Sequence, residues 1–167
     1  MKDQKIRKIV YAATLSALVM AATMVIKIPS PTNGYVNLGD CFVLLSGWLL
    51  GPWYGGAAAG IGAMLSDLLS GYAYYAPATL LIKGLDAMVA GLLYQALRNH
   101  RIALPLSGIV GELLMTAGYF GYSALLLGKG LAAALSVPGN LIQGGIGIVV
   151  AILLMHVAKR AHLTEKL

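Results

Sequence analysis

The chain has 167 residues, of which 59% are hydrophobic and 11% are charged, and its mean hydropathy is +0.79. So few polar residues could not cover a water-facing surface, and the composition therefore excludes a soluble globular protein and predicts an integral membrane protein. The net charge of +6 has no aromatic-interleaved basic face behind it, so we expect no nucleic-acid partner. The single cysteine, Cys41, excludes an internal disulfide, and no Cys/His cluster has zinc spacing, so neither a metal nor another cofactor is expected.

The first apolar segment follows four basic residues within the first eight positions and continues over residues 9–28. This length can span a hydrocarbon core of roughly 30 Å, and no well-placed cleavage site of small residues ends it. We therefore interpret it as a transmembrane helix and not as a signal peptide.

Alanines recur at every fourth position of this helix, at Ala13, Ala17 and Ala21. Such spacing makes a smooth ridge against which another helix can pack at backbone distance. The partner could be a helix of the same bundle or a separate protein that docks from outside. The sequence leaves both alternatives open.

Five further apolar segments follow, and together they predict an all-α protein whose residues 1–167 form one membrane domain with six transmembrane helices. The predicted spans are 9–28, 40–52, 54–70, 78–97, 104–127 and 138–158. The second is the weakest, because a segment this short reaches only about 20 Å. Gly51 and Pro52 mark either a tight turn or a kink.

Basic residues lie mainly on one side of this arrangement. If both termini are inside, nine of the 12 Lys and Arg residues fall on the cytoplasmic side, and only Lys27 and Lys129 fall on the opposite side. This excess predicts cytoplasmic N and C termini.

Three loops, 29–39, 71–77 and 128–137, then lie on the outer side. The first contains "PTNGYVNLGDC", in which Gly34 and Gly39 would permit the turns, and the second contains "GYAYYAP". Its three tyrosines are Tyr72, Tyr74 and Tyr75. They could form an interfacial aromatic belt, or they could cover a ligand pocket as rings that stack on a planar solute and form hydrogen bonds with it.

Ionisable side chains also occur within the predicted spans, where contact with lipid would be costly. They are Asp67, Lys83, Asp86 and Glu112, with Asp40 at the start of the second span. Lys83 and Asp86 share a helical face and could neutralise one another, whereas Asp40 could cap its helix. Glu112 has no such neighbour in its own helix, although Tyr119 lies on the same face.

The last span begins with "PGNLIQGG", in which the amides of Asn140 and Gln143 project together near the outer end. A helix–helix hydrogen bond is one explanation of this pair. Because polar groups from the loops and from several helices converge on the outer half, we instead predict a substrate cavity open to the outside. The candidate substrate-binding residues are Asn37, Asp40, Asp67, Tyr72, Tyr74, Tyr75, Lys83, Glu112, Tyr119, Asn140 and Gln143.

Motifs of common enzyme classes are missing from the sequence. It has no phosphate loop of the form G-x-x-x-x-G-K-[ST], no nucleophile elbow and no H-E-x-x-H. We therefore expect no enzymatic activity and no ATP hydrolysis by this chain alone. Two alternatives stay open: a membrane enzyme acting on a lipid or isoprenoid through Asp67, Asp86 and Glu112, and a scaffold in which the polar groups only pair internally.

Residues 35–85 read "YVNLGDCFVLLSGWLLGPWYGGAAAGIGAMLSDLLSGYAYYAPATLLIKGL". The ordered elements "NLGD", "LLGP" and "YAPAT", with the following Lys-Gly, resemble the riboflavin-type family of S components, the substrate-binding subunits of energy-coupling factor (ECF) vitamin transporters. The rest of the chain resembles this family in outline, through the number of predicted helices, the alanine ridge and the basic cytoplasmic side.

This resemblance implies a multi-pass protein of a prokaryotic plasma membrane that captures a water-soluble vitamin or precursor beneath the first outer loop. The ligand would be of the riboflavin, pyridoxine, hydroxymethylpyrimidine or pantothenate class. The resemblance also implies that the first helix docks onto a membrane coupling protein driven by two cytoplasmic ATPases, and that the subunit topples in the bilayer. The absent phosphate loop fits this division of labour.

Overall fold

The structure is a computed structural model that describes residues 2–25, 27–29 and 35–161. Within them lie five α-helices: α1 Lys2–Val25, α2 Asp40–Leu69, α3 Ala76–Leu97, α4 Ala103–Gly121 and α5 Val137–Arg160. A π-helical turn, Tyr122–Leu126, and a 3-10 segment, Gly130–Ser136, connect α4 to α5. Gly34 lies outside the described residues.

The predicted spans 40–52 and 54–70 both lie within α2, which is interrupted between them. Gly51 has a φ of 77°, which is readily adopted only by glycine, and Pro52 follows immediately. A Cβ atom on Gly55 would come within 2.4 Å of the carbonyl oxygen of Ser46, so the chain folds back at Gly51 and the two arms of α2 lie side by side. The two arms correspond to the two predicted spans.

The first helix is also shorter than expected, since α1 ends at Val25 and not near residue 28. The chain continues into β1 Lys27–Pro29, which pairs antiparallel with β2 Tyr35–Asn37. This hairpin, which the sequence did not predict, connects the end of α1 to the start of α2.

Four helical segments of the described chain are long and apolar enough to cross a membrane. They are Gln4–Val25, Ala76–Leu97, Ala103–Leu126 and Gly130–Arg160. The mostly helical fold of an integral membrane protein is thus as expected.

Close approach of small residues holds α2 against α3. A Cβ atom on Gly91 would come within 2.7 Å of the carbonyl oxygen of Gly47, and one on Gly56 would come within 2.9 Å of the carbonyl oxygen of Gly84. Only glycine permits such contact between backbones, as is typical of packing in membranes, where lipid removes the hydrophobic drive between helices.

The largest apolar cluster extends from Cys41, next to the start of α2, to Met155 near the end of α5. There Leu44, Trp48 and Met155 are buried, and the indole nitrogen of Trp48 donates a hydrogen bond to Ser107 Oγ over 3.0 Å.

Candidate functional site

A pocket lies at the hairpin end, where α3 and α5 begin, where α1 and α4 end, and where α2 both begins and ends. The pocket is partly open to solvent. All three predicted outer loops contribute to it, through Asn37, Tyr72 and Ser136 respectively.

Nine of the eleven predicted substrate-binding residues line this pocket. They are Asn37, Asp40, Asp67, Tyr72, Tyr75, Lys83, Tyr119, Asn140 and Gln143. The structure therefore brings together side chains from β2, from four helices and from the loop between α2 and α3.

The other two predicted residues, Tyr74 and Glu112, are not part of the pocket lining. Tyr74 is 46% exposed and packs against the Tyr75 ring at a centroid distance of 4.9 Å. Glu112 is buried in α4, with its side chain against Gly144 of α5.

Asp40 is the centre of a buried polar network with Asn37, Lys83 and Gln143, which we call the Asp40 network. Lys83 donates to Asp40 Oδ1 in an ion pair, and Gln143 Nε2 donates to Asp40 Oδ2 over 2.6 Å. The amide oxygen of Gln143 accepts the backbone N–H of Asn37 over 2.8 Å. The network joins β2, α2, α3 and α5, so it fixes the hairpin to three helices.

Two sequence-based interpretations change with this network. Lys83 pairs with Asp40 and not with Asp86, its neighbour on α3. Asp40 is the first residue of α2, but no side-chain hydrogen bond caps that helix. Its carboxylate still lies at the amide-rich end, where negative charge is favoured.

A cluster of tyrosines centred on Tyr75 forms another side of the pocket. The ring of Tyr75 lies 5.6 Å from that of Tyr122 and 6.3 Å from that of Tyr119, and its hydroxyl lies 2.9 Å from Ser123 Oγ. Only 7% of Tyr75 is exposed, so this ring does not belong to an interfacial belt. The more exposed Tyr74 fits that description better.

Lys129 closes the tyrosine cluster on its outer side. Its ammonium donates to the Tyr75 hydroxyl over 3.3 Å and lies 5.7 Å from the centroid of that ring. Gly128 and Gly130, on either side of it, have φ values of 67° and 53°, which set the sharp turn.

Sequence reasoning missed several pocket residues with short side chains, namely Thr23, Val43, Ala63, Thr79, Ser123 and Ser136. Val43 and Ala63 carry no polar group, and Ser and Thr are common in membrane helices for packing reasons alone. The one available signal was the place of Thr23 and Thr79 near the predicted outer ends of their helices.

Two buried acids, Asp86 and Glu112, lie outside the pocket. Neither carboxylate has a hydrogen-bond partner within the described residues. Glycines of adjoining helices provide the space for them: the Asp86 side chain packs on Gly111 of α4, and that of Glu112 packs on Gly144 of α5. No group of three or more His, Cys, Asp or Glu residues in the described chain is arranged to hold a metal ion.

The alanine ridge of α1 lies on the outside of the bundle. Ala13, Ala17 and Ala21 are all exposed, whereas Leu15 and Val19 of the same helix are buried. The ridge therefore does not pack against the described part of the bundle.

Comparison with known proteins identifies the family. The family model described as "ECF-type riboflavin transporter, S component" matches residues 3–160, which is nearly the whole chain. The chain belongs to this family. As an ECF S component it is a multi-pass plasma-membrane protein of vitamin or precursor transport, and the family is one of transporters, not of enzymes.

Two relatives and one solved structure extend this comparison. The S component is 35% identical over 139 residues to an uncharacterised protein of Pyrococcus woesei, covering 78% of this chain and 93% of that one. It is 28% identical over 162 residues to the thiamine precursor transporter HmpT of Lactococcus lactis subsp. cremoris (strain MG1363), covering 96% of this chain and 92% of that one.

The solved structure is described as "Structure and mechanism of the S component of a bacterial ECF transporter". It matches with a TM-score of 0.65 at 23% identity and covers 94% of this chain and 98% of the other. At this identity the match shows that the two proteins share a fold.

Proposed function

We propose that this S component captures a planar, uncharged vitamin precursor from the outside and delivers it for ATP-driven import. The observation that carries the proposal is the pocket itself, which combines a buried polar network with a cluster of tyrosines. Amphipathic rings can stack on a planar heterocycle, and a few placed polar groups can orient it.

The charges around the pocket support an uncharged ligand. Lys83 is the cation buried deepest, and its ion pair with Asp40 already neutralises it. An anionic ligand would have to displace that carboxylate or remain without a buried partner, and both alternatives are unfavourable in a low dielectric. Heterocycles of the hydroxymethylpyrimidine, pyridoxine or riboflavin class therefore suit the site better than pantothenate, which is an acyclic carboxylate.

The relative named as a thiamine precursor transporter supports the pyrimidine class in particular. A substituted pyrimidine presents ring nitrogens and an amino group that amides and hydroxyls can bind. We therefore place hydroxymethylpyrimidine first among the candidate ligands.

Identification of the bound molecule tests the ligand class directly. The protein would be purified from membranes without added vitamin, and any molecule released on denaturation would be identified by mass spectrometry. Isothermal titration with hydroxymethylpyrimidine, pyridoxine, riboflavin and pantothenate would follow. We expect a heterocycle to bind and pantothenate to bind at least tenfold more weakly. Failure of all four ligands to bind or to shift the melting temperature would contradict the proposal.

Import would depend on a membrane coupling protein and two cytoplasmic ATPases, with both termini of this chain in the cytoplasm. Arg98, Arg101 and Lys159 lie near the end of the bundle opposite the pocket, which supports this orientation. The exposed ridge of α1 offers the coupling protein a smooth surface for close packing.

Replacement of Ala17 by Trp tests the docking role. The large ring should hold the coupling protein away and abolish ATP-dependent uptake in vesicles that contain the full complex, because such interfaces depend on close van der Waals contact. Ligand affinity of the isolated subunit should stay within twofold, since the ridge lies outside the bundle. Ala57→Trp, at an exposed alanine of α2, is the matched control and should preserve uptake. Normal uptake by A17W would exclude the ridge as the docking surface.

A further inference from the structure

Thr23 is the one pocket-lining residue from α1, the helix that also carries the exposed alanine ridge. Its side chain is directed into the bundle, because only 5% of the residue is exposed. Its hydroxyl packs on Gly39, just before α2 begins. The pocket therefore reaches the outer end of the first helix.

The Thr23 hydroxyl borders the pocket, and the structure shows no hydrogen bond between it and a described residue. Most polar groups around it are already satisfied. Asn37 and Gln143 bind each other, Gln143 also donates to Asp40, and Tyr119 donates to Thr79 over 3.0 Å. A hydroxyl at the edge of a pocket that has no protein partner can form its hydrogen bond with a ligand that displaces water there.

Asn140 of α5 shares this property. Its amide lines the pocket and makes no hydrogen bond within the described chain. The network residues hold one another, whereas Thr23 and Asn140 keep their hydrogen-bonding capacity for a solute. This difference separates positioning groups from ligand-binding groups inside one pocket.

We propose that the Thr23 hydroxyl binds the ligand directly, so that the occupied pocket holds the outer end of α1 in place. The inference rests on the proposed function, because it assumes that the pocket is the vitamin site. It adds a specificity-determining residue on the helix whose other face is the proposed docking surface. Occupancy of the pocket and the position of that surface would then be linked through a single helix.

The test compares Thr23→Val, Thr23→Ser and Thr14→Val by isothermal titration with hydroxymethylpyrimidine, with riboflavin and pyridoxine in parallel. Valine keeps the shape of threonine and removes the hydroxyl, so T23V should weaken binding about five- to tenfold, the loss of one neutral hydrogen bond. T23S keeps the hydroxyl and should stay within about threefold of wild type. Thr14 lies on the same helix but is exposed, and it donates to the Val10 carbonyl over 3.0 Å, so T14V should leave affinity unchanged.

Thermal melting of the ligand-free variants keeps the result interpretable. T23V and T14V should melt within about 2 °C of each other, so that weaker binding by T23V reflects contact and not unfolding. Affinity of T23V within twofold of wild type would overturn the inference and leave the proposed function intact. If wild type binds none of the three heterocycles, the proposed function fails and the inference fails with it.

Discussion

Asp40 and Asp86 carry the same side chain, lie on adjoining helices and are both completely buried, yet their surroundings differ. Asp40 has an ion pair with Lys83 and a hydrogen bond from Gln143, and it lines the pocket. Asp86 packs on Gly111 and has no hydrogen-bond partner among the described residues. Burial of an acid in a membrane bundle therefore does not by itself mark a binding site; its partners distinguish one acid from the other.

The difference has an energetic consequence. Removing one member of a buried ion pair leaves the other charge without compensation, which typically costs 3–5 kcal/mol. Changing a group that has no hydrogen-bond partner breaks no hydrogen bond or ion pair, provided that the new side chain has the same shape. Asparagine is close to aspartate in shape, so the same substitution at both positions isolates the effect of the partner.

The largest predicted effect is therefore that of Asp40→Asn. It leaves the Lys83 ammonium buried and unpaired, and we expect it to lower the free energy of unfolding by about 3–5 kcal/mol. Asp86→Asn should change it by less than about 1 kcal/mol. Thermal melting in detergent would compare the two proteins, and equal losses of stability would show that the contrast between the two acids is wrong.

A double variant sharpens this comparison. Asp40→Leu with Lys83→Met replaces both charges by apolar groups of similar volume, which is often neutral or stabilising in protein interiors. We expect this protein to melt close to wild type but to bind ligand poorly, since Asp40 and Lys83 line the pocket. Stability and binding would then be separated at one pair of residues.

We expect a medium loss of stability when Gly144 is replaced, because this glycine provides the space for Glu112, the second buried acid without a hydrogen-bond partner. A Cβ atom on Gly144 would come within 2.9 Å of Glu112 Cβ and Oε2, so Gly144→Ala should force α4 and α5 apart and cost about 1–3 kcal/mol. The neighbouring Gly145 has nothing within 4 Å of an added Cβ. Gly145→Ala should accordingly preserve or slightly raise the melting temperature, because alanine favours a helix more than glycine does. Tolerance of G144A would mean that the Glu112 side chain is not confined there.

The sequence predicted the membrane class, the family and most of the pocket lining, because each depends on local composition or on an ordered motif. It could not predict which buried groups pair. Lys83 has Asp86 one turn away on its own helix, yet its partner is Asp40, 43 positions away on α2. Spacing along one helix says nothing about how two helices are rotated against each other, and that rotation decides which charges meet.

One feature of the fold was missed because the sequence carries little signal for it. The antiparallel hairpin of β1 and β2 contains only three residues in each strand, too short for an alternating pattern to be recognised. Gly51 and Pro52, by contrast, did mark a break in the sequence, where a turn and a kink were both possible. The structure shows a reversal there, since a Cβ atom on Gly55 would come within 2.4 Å of the carbonyl oxygen of Ser46.

The smallest predicted effect concerns the hydrogen bond between Tyr119 and Thr79 at the pocket. It tests whether a tyrosine at the pocket and a tyrosine in the apolar core differ in their partners, as Asp40 and Asp86 do. Tyr119 donates to Thr79 inside the pocket, whereas the Tyr94 hydroxyl makes no hydrogen bond within the described chain and its ring packs 6.3 Å from that of Trp48 in the apolar core. Tyr119→Phe removes the hydrogen bond to Thr79, and we expect it to lower the free energy of unfolding by about 0.5–1.5 kcal/mol. Tyr94→Phe removes no such bond and should leave the melting temperature unchanged. Thermal melting of both variants in detergent measures the difference, and an equal response would show that the bond between Tyr119 and Thr79 does not stabilise the protein.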